Sequence, residues 1–313
     1  NNSQKDFYDY LENIHKEFNK QVVDGIEFLK DIKINNFISD RDGTVNNYCG
    51  RYKSSIQSAY NAIFLSKFAN NKSDNSVILT SAPLDNIGLI DISVSPKKSF
   101  IYAGSKGREY ISKTGERNQY PIEEDKQEKL NELNSELSDL VKKSDYEVFS
   151  FIGSGLQFKF GQTTIARQDI YNSIPEETSK QFLKTVENLV RKVDPDNEYF
   201  RIEDTGKDIE IILTIESKNN DELKDFDKGD GVNFLDKELS LNMKNKNNLI
   251  CGDTNSDVPM VSTAVNKNEN SWAIFVTENE ELKNKVRGIC DKSFFVSCPD
   301  VLVSILNNLA EKE

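Results

Sequence analysis

Hydrophobic residues recur along this chain with two different periods, one typical of helices and one typical of buried strands. Near the start, steps of three and four join Phe7, Leu11, Ile14, Phe18 and Val22, which predicts one helix over residues 1–30. Short apolar runs then predict buried strands at 34–39, 76–80 and 99–103. A helix is expected between the first two strands, with an inner face formed by Ile56, Tyr60, Ile63, Phe64 and Phe68. Strands that alternate with helices favour a parallel sheet covered on both faces.

The middle of the chain has a different pattern. We predict a charged amphipathic helix over 123–143, strand-like stretches at 148–152 and 157–167, a helix after Pro175, and strands at 198–202 and 209–215. This order indicates a separate α+β unit with an antiparallel sheet, followed by a polar linker over 216–227. Helices and strands then alternate again from residue 229 to a last helix over 299–310.

The simplest organisation is therefore an α/β domain interrupted by an α+β insertion. We expect an N-terminal helix over 1–30, a first core part over 31–117, the insertion over 118–225 and a second core part over 226–313. The apolar stripe of the N-terminal helix is expected to pack on the core of its own chain. The same stripe could instead mediate self-association.

Charge and composition exclude several classes of function. The 313 residues contain 40 Lys and Arg against 52 Asp and Glu, a formal net charge of −12. Such an acidic chain is poorly suited to binding nucleic acid or an anionic membrane, and no apolar run is long enough to span a bilayer. The only histidine is His15, which excludes sites built on several imidazoles. Four cysteines without C-x-x-C spacing favour a reducing compartment, so we expect a cytoplasmic protein.

Two acidic clusters follow predicted strands of the α/β domain. They are Asp-Arg-Asp-Gly-Thr at 40–44 and Gly-Asp-Thr-Asn-Ser-Asp at 252–257. Ligands of open α/β sheets bind beyond the carboxyl ends of the strands, so neighbouring strands would bring Asp40, Asp42 and Asp253 together. Carboxylates at such short distances repel each other unless a cation lies among them, and a set of oxygen ligands alone suits Mg²⁺. The alternative is that each cluster only caps the helix that follows it.

The order of these motifs resembles the haloacid dehalogenase superfamily of phosphatases. Asp-x-Asp-Gly-Thr comes first, followed by Thr80 at the end of a strand, then Lys228, then Gly-Asp-x-x-x-Asp. From about residue 34 onward the chain is most similar to the nematode type of trehalose-6-phosphate phosphatase, for example in FISDRDGTVNNYC (37–49) and LICGDTNSDVPMV (249–261). This resemblance implies an α/β fold with a Rossmannoid core and a parallel sheet. It also implies that the insertion is a C2B-type cap, an antiparallel sheet with two helices.

The resemblance also implies a Mg²⁺-dependent hydrolysis of trehalose 6-phosphate through an aspartyl-phosphate. Asp40 would be the nucleophile, and Asp42 would be the acid that protonates the leaving oxygen and then the base that activates water. Thr80 would bind a phosphate oxygen, and Lys228 would neutralise charge on the transferred group. The implied metal ligands are Asp40, the backbone carbonyl of Asp42, and Asp253, with Asp257 supporting them from behind.

On the cap side, the resemblance requires groups that recognise sugar hydroxyls. The candidates are Arg108, Glu109, Gln157, Lys159 and Glu210, with Glu216 as a substitute for Glu210. The chain departs from many relatives in having Thr80-Ser81-Ala82 where they carry Ser-Gly-Arg, and in Arg41, which we expect to point to solvent. Two alternatives remain open at this point. One is a capped phosphatase for another sugar phosphate, such as sucrose phosphate, and the other is a non-catalytic regulator that binds a sugar phosphate.

Overall fold

The computed structural model describes residues 2–48, 55–84, 98–216 and 223–311. Its helices are α1 (Asn2–Ile14), α2 (Phe18–Leu29), α3 (Ala59–Asn71), α4 (Glu124–Leu140), α5 (Glu176–Val193), α6 (Lys228–Glu238), α7 (Val258–Lys267), α8 (Glu280–Arg287) and α9 (Pro299–Glu311). Its strands are β1 (Ile34–Ser39), β2 (Ser73–Leu79), β3 (Ile101–Gly104), β4 (Glu109–Ile111), β5 (Arg117–Gln119), β6 (Leu156–Lys159), β7 (Gln162–Ala166), β8 (Phe200–Asp204), β9 (Asp208–Glu216), β10 (Leu223–Asp225), β11 (Asn248–Gly252), β12 (Ser271–Val276) and β13 (Ser293–Val296).

Within the described ranges, the larger sheet has eight strands in the order β13-β12-β11-β1-β2-β3-β4-β5. The pairs from β13 to β3 are parallel, and β4 and β5 continue the sheet as antiparallel strands. β1 lies between β11 and β2, and Ser39 at its end is level with Cys251. This register places the residues that follow β1 and β11 at the same edge of the sheet.

Helices cover both faces of this sheet, which explains why its central strands are apolar on both sides. Phe37 of β1 packs into a cluster with Phe68 of α3 and Leu302 of α9. The next residue, Ile38, faces the opposite cluster, which contains Val232 of α6 and Met260 of α7. The α/β core expected from the sequence is confirmed.

The predicted N-terminal helix is two helices. The chain turns between α1 and α2, where Glu17 adopts a left-handed conformation with φ of 54°. Leu11, Phe18 and Val22 are buried in the core cluster, whereas Ile14 at the end of α1 is 52% exposed. α1 ends at Ile14, which is left exposed there, and the other apolar residues of the stripe pack on the core of their own chain.

The smaller sheet belongs to the insertion and is antiparallel. Its order is β10-β9-β7-β6, and β8 also pairs with β9. α4 and α5 supply Leu133 and Phe182 to a separate hydrophobic cluster, which also includes Phe149 and Ile211. An α+β insertion with two helices and an antiparallel sheet is therefore confirmed.

Several local predictions were wrong. The stretch 148–152 contains part of a 3-10 turn (Glu147–Ser150) that buries Phe149, and 157–167 is a hairpin of two strands. The expected linker contains β10, and the expected boundary after residue 117 falls within β5 of the larger sheet. Ile56 precedes α3, and both Ile56 and Ile63 are exposed because neither lies on the face of α3 that meets the sheet.

Two further expectations concern membrane spans and cysteines. Among the described residues, no helix is long and apolar enough to cross a membrane. Cys251, Cys290 and Cys298 are free thiols, and Cys49 lies outside the described residues.

Candidate active site

Adjacent strands bring the two acidic clusters together at the carboxyl edge of the large sheet. Asp40 follows β1, and its backbone N–H donates to the carbonyl of Cys251 at 3.0 Å. The Thr44 hydroxyl lies 3.1 Å from Asp40 Oδ2 and 3.2 Å from Asp253 Oδ1. Gly43 has φ of +90°, and a Cβ there would lie 2.1 Å from Asp253 Oδ2. Only glycine accommodates both the turn and the approach of Asp253.

A buried lysine holds two of these carboxylates. Lys228 is the first residue of α6, where Asp227 and Asp230 form a reciprocal cap. Its Nζ donates to Asp40 Oδ1 at 2.6 Å and to Asp257 Oδ1 at 2.5 Å, and the side chain is 3% exposed. The other oxygen of Asp257 accepts the backbone N–H of Asp253 at 3.0 Å. Asp257 therefore fixes both the lysine and the loop that carries Asp253.

The electrostatics of the cluster differ from one carboxylate to the next. Burial raises the pKa of Asp40 to about 7 against the opposing effect of Lys228. Burial, together with the charge of Asp40, raises the pKa of Asp253 to about 9. Burial acts to raise the pKa of Asp257, but Lys228 and the backbone N–H groups of Asp253 and Thr254 together outweigh it and hold that pKa below its ordinary value. Two of the three carboxylates thus favour protonation unless a further positive charge compensates them.

The same three carboxylates could hold a metal ion. Ligand oxygens of Asp40, Asp253 and Asp257 all lie within 4.8 Å of one another. Both oxygens of Asp257 accept hydrogen bonds, one from Lys228 and the other from backbone N–H. Asp40 Oδ2 and Asp253 Oδ1, by contrast, have only the single proton of the Thr44 hydroxyl between them in the part of the chain that the structure describes. Asp40 and Asp253 are therefore the carboxylates best placed to turn an oxygen toward a cation, and an all-oxygen set fits a hard divalent ion.

Asp42 lies beside this cluster and is held by two neighbours. Its Oδ1 accepts from Arg41 Nη1 at 2.7 Å and from the Ser55 hydroxyl at 2.5 Å. The expectation that Arg41 points to solvent was wrong, since this side chain is only 3% exposed. The sequence could not reveal this burial because the partner, Ser55, lies outside the Asp-x-Asp motif.

The acidic cluster opens into a cavity of about 760 Å³ between the core and the insertion. Its core wall includes Asp40, Asp42, Thr80, Lys228 and Asp253, and its other wall includes Gln157, Lys159 and Glu210. The structure thus brings eight of the sequence-predicted residues to one cavity, and Asp257 lies directly behind them. Thr80 follows β2, and its Oγ1 accepts the N–H of Ala82 at 3.1 Å.

The insertion presents a buried charge to this cavity. Lys159 is 8% exposed, and burial lowers its pKa although Glu210 acts in the opposite direction. Gln157 donates to the carbonyl of Ser154 at 2.8 Å. Glu210 accepts from Lys106 at 2.8 Å, which links the insertion to the core across the cavity.

Two expected sugar ligands occupy structural positions instead. Arg108 is 2% exposed, donates to the carbonyls of Gly161 and Leu213, and packs against the Phe226 ring. Burial lowers its pKa to about 10. Glu109 is 1% exposed and accepts from the Ser105 hydroxyl at 2.7 Å. Because neither lines the cavity, we correct both assignments. Arg108 connects the core to the insertion, whereas Glu109 holds the turn after β3 within the core.

Some cavity residues were not anticipated, and one candidate cannot be placed. Lys106 lines the cavity from the turn after β3, where it adopts φ of 62°, and lies only two residues before Arg108. Its signal was present in the stretch AGSKGRE (103–109), but the sequence did not show which of its charges faces inward. Thr44 was likewise overlooked as the bridge between two aspartates. Glu216 ends β9, and its side chain lies outside the described residues.

An eight-stranded core sheet with an acidic edge, covered by an inserted antiparallel sheet, defines a haloacid dehalogenase-like fold. A solved structure of this fold, the C-terminal domain of trehalose-6-phosphate phosphatase from C. albicans, is similar with a TM-score of 0.60 at 12% identity, covering 92% of this chain and 96% of that one. The chain belongs to the family described as trehalose-6-phosphate phosphatase, C-terminal, which matches residues 37–302.

Curated relatives agree with this membership. A trehalose-phosphatase of Brugia malayi is 32% identical over 98% of this chain and 65% of its own length. An α,α-trehalose-phosphate synthase (UDP-forming) of Aphelenchoides avenae is 33% identical over 92% of this chain but only 22% of its own length. The chain therefore spans less than a quarter of that synthase and about two thirds of that phosphatase.

Proposed function

We propose that this protein hydrolyses trehalose 6-phosphate to trehalose and phosphate. One observation carries the proposal. Asp40 lies between Lys228 and Asp253 at the base of a cavity whose opposite wall comes from the insertion. Family membership and the trehalose-phosphatase relatives support this substrate.

In the proposed reaction, a carboxylate oxygen of Asp40 attacks phosphorus and forms an aspartyl-phosphate. Asp42 gives its proton to the departing sugar oxygen and afterwards takes a proton from the water that hydrolyses the intermediate. Lys228, which holds Asp40 Oδ1 at 2.6 Å, orients the nucleophile and neutralises charge on the transferred group. The Thr80 hydroxyl binds a phosphate oxygen.

We propose Mg²⁺ as the cation of the acidic cluster. Asp40, the backbone carbonyl of Asp42, and Asp253 would hold it, and Asp257 would support the loop of Asp253 from behind. Bound Mg²⁺ supplies positive charge that offsets the repulsion between carboxylates and a phosphate dianion. The raised pKa values of Asp40 and Asp253 support this assignment, because a cation restores their charged forms.

The insertion, whose limits we propose just after β5 of the larger sheet and near residue 225, acts as the cap over the sugar. Gln157, Lys159 and Glu210 are the candidates for binding its hydroxyls, and closure excludes water from the phosphorylated aspartate. A cytoplasmic location and self-association through the N-terminal helices remain predictions.

A panel of sugar phosphates, assayed for phosphate release with Mg²⁺ and with EDTA, tests this function. We expect the highest kcat/KM for trehalose 6-phosphate and no turnover in EDTA. A strong preference for glucose 6-phosphate or sucrose phosphate would contradict the proposed substrate. Binding of trehalose 6-phosphate without release of phosphate would favour a regulator over an enzyme.

A further inference from the structure

The proposed acid, Asp42, is held in place by two side chains that are not members of the acidic cluster, and one of them, Ser55, also lines the cavity. Arg41 Nη1 donates to Asp42 Oδ1 at 2.7 Å, and its Nη2 donates to the backbone carbonyl of Ser55 at 2.8 Å. The Ser55 hydroxyl donates to the same Asp42 oxygen at 2.5 Å. We refer to Arg41 and Ser55, with these contacts, as the Asp42 clamp.

The direction of each hydrogen bond in the clamp follows from the donors present. Ser55 Oγ accepts hydrogen bonds from Arg41 Nη1 at 3.1 Å and from Asn46 Nδ2 at 3.3 Å, and both of these nitrogens can only donate. The single hydroxyl proton of Ser55 is therefore directed at Asp42 Oδ1. That oxygen then accepts two donors, one of them charged.

The other oxygen of Asp42 is different. Across the described ranges, Asp42 Oδ2 takes part in no hydrogen bond, while the Asp42 side chain lines the cavity and is 26% exposed. A proton on the carboxyl group must sit on the oxygen that is not accepting two donors. The clamp thereby places any proton of Asp42 on Oδ2, where a bound ester can receive it.

From this geometry, and resting on the proposed function, we infer that Arg41 and Ser55 are positioning residues. They fix the Asp42 carboxyl group so that its proton is presented from Oδ2 to the departing sugar oxygen. In the step concerned, the bond between Asp40 and phosphorus forms, the bond between phosphorus and the sugar oxygen breaks, and the Oδ2 proton moves to that oxygen.

The burial of Arg41 supports a specific role over a fortuitous contact. The side chain is 97% buried, and its Nε is an unpartnered buried donor within the described part of the chain. Leaving such a donor unpaired is unfavourable. The two other nitrogens of Arg41 direct their hydrogen bonds to Asp42 and Ser55, so the polar contacts of this buried side chain converge on one carboxyl group and its second donor.

The test compares two phosphate esters in the full chain with Mg²⁺. An alkyl ester such as trehalose 6-phosphate has a poor leaving group and needs the acid, whereas p-nitrophenyl phosphate leaves without protonation. In Arg41→Met and in Ser55→Ala, kcat/KM for trehalose 6-phosphate should fall about tenfold to a hundredfold, because a misplaced acid loses part of its contribution. For p-nitrophenyl phosphate the loss should stay within about threefold. The exposed Arg191→Met serves as the matched control and should change neither value.

A double-mutant cycle of Arg41→Met with Asp42→Asn separates loss of Asp42 positioning from a general disturbance of the active site. Once the acid is absent, adding Arg41→Met should cost no more than about threefold for trehalose 6-phosphate. Equal losses for both esters, additive losses in the cycle, or unchanged kinetics in both variants would overturn the inference. If Arg41→Met does not fold, Ser55→Ala decides alone. A wild-type enzyme that turns over another alkyl phosphate but not trehalose 6-phosphate would instead count against the proposed substrate, and the same comparison with that alkyl phosphate would then test the clamp.

Discussion

Replacing Lys228 with Met would leave buried carboxylates without their counter-charge. The side-chain exposures of Lys228, Asp40 and Asp257 are 3%, 8% and 0%, and the two N–O distances are 2.6 and 2.5 Å. Methionine fills most of the lysine volume, so packing changes little and the main cost is electrostatic. Removing one partner of such a buried pair costs about 3–5 kcal/mol.

Urea unfolding at pH 7 in EDTA measures this cost directly. The matched control is Lys192→Met, which breaks a pair of similar length, 2.7 Å to Glu136, but with 66% and 39% exposure, and should cost less than about 1 kcal/mol. Because Lys228 helps to hold the pKa of Asp257 below its ordinary value of 3.8, the resulting stabilisation is present above pH 3.8 and is lost as the pH falls from there through the lowered folded-state pKa. The gap between wild type and Lys228→Met should therefore narrow below about pH 4. Equal losses in the two variants at pH 7 would refute the reasoning.

Three further predictions follow from the same cluster and from the cavity. In EDTA the melting temperature should fall from pH 5 to pH 8. The raised pKa values of Asp40 (about 7) and Asp253 (about 9) stabilise the fold below the ordinary value of 3.8, and this stabilisation is lost as the pH rises through the folded values. A flat profile would contradict those pKa values. Gly43→Ala should abolish Mg²⁺-dependent activity, whereas Gly115→Ala, at φ +93° with no atom within 4 Å of the added Cβ, should cost only about 1–2 kcal/mol of backbone strain and leave turnover intact. If both variants remain active, the close approach of Gly43 to Asp253 is not required. Lys106→Met should raise KM for trehalose 6-phosphate about fivefold with little change in kcat, because Glu210, a candidate sugar ligand, loses the ammonium group that holds it across the cavity, an effect of about 1 kcal/mol. A fall in kcat alone would argue against a role in binding.

The core of the fold follows from local pattern because the residues that carry it are close in sequence. The run at 34–39 and the Asp-Arg-Asp-Gly-Thr that follows it are one strand and one turn, so periodicity and motif agree there. β1 and β11 are far apart in the sequence but adjacent in the sheet. Local pattern does not predict this pairing, which was expected only from the resemblance in motif order. The three-residue strands β4, β5 and β10 are too short and too polar to carry a periodic signal.

The direction in which a charged side chain points is the part that sequence reasoning missed. Lys106, Arg108 and Glu109 lie within four residues, yet only Lys106 faces the cavity. Arg108 points away from the cavity because its guanidinium group donates to two backbone carbonyls and packs on the Phe226 ring. These partners come from distant parts of the chain, so composition and spacing around residue 108 contain no information about them.

The central claim is that Asp40 attacks the phosphate of trehalose 6-phosphate. Its most direct test is the phosphate release of Asp40→Asn with Mg²⁺, compared with wild type after both have been shown to unfold at similar urea concentrations. We expect a loss in kcat/KM of about a thousandfold or more for Asp40→Asn, because the amide cannot form the aspartyl-phosphate. Retention of more than about a tenth of the wild-type value by a folded Asp40→Asn protein would contradict it.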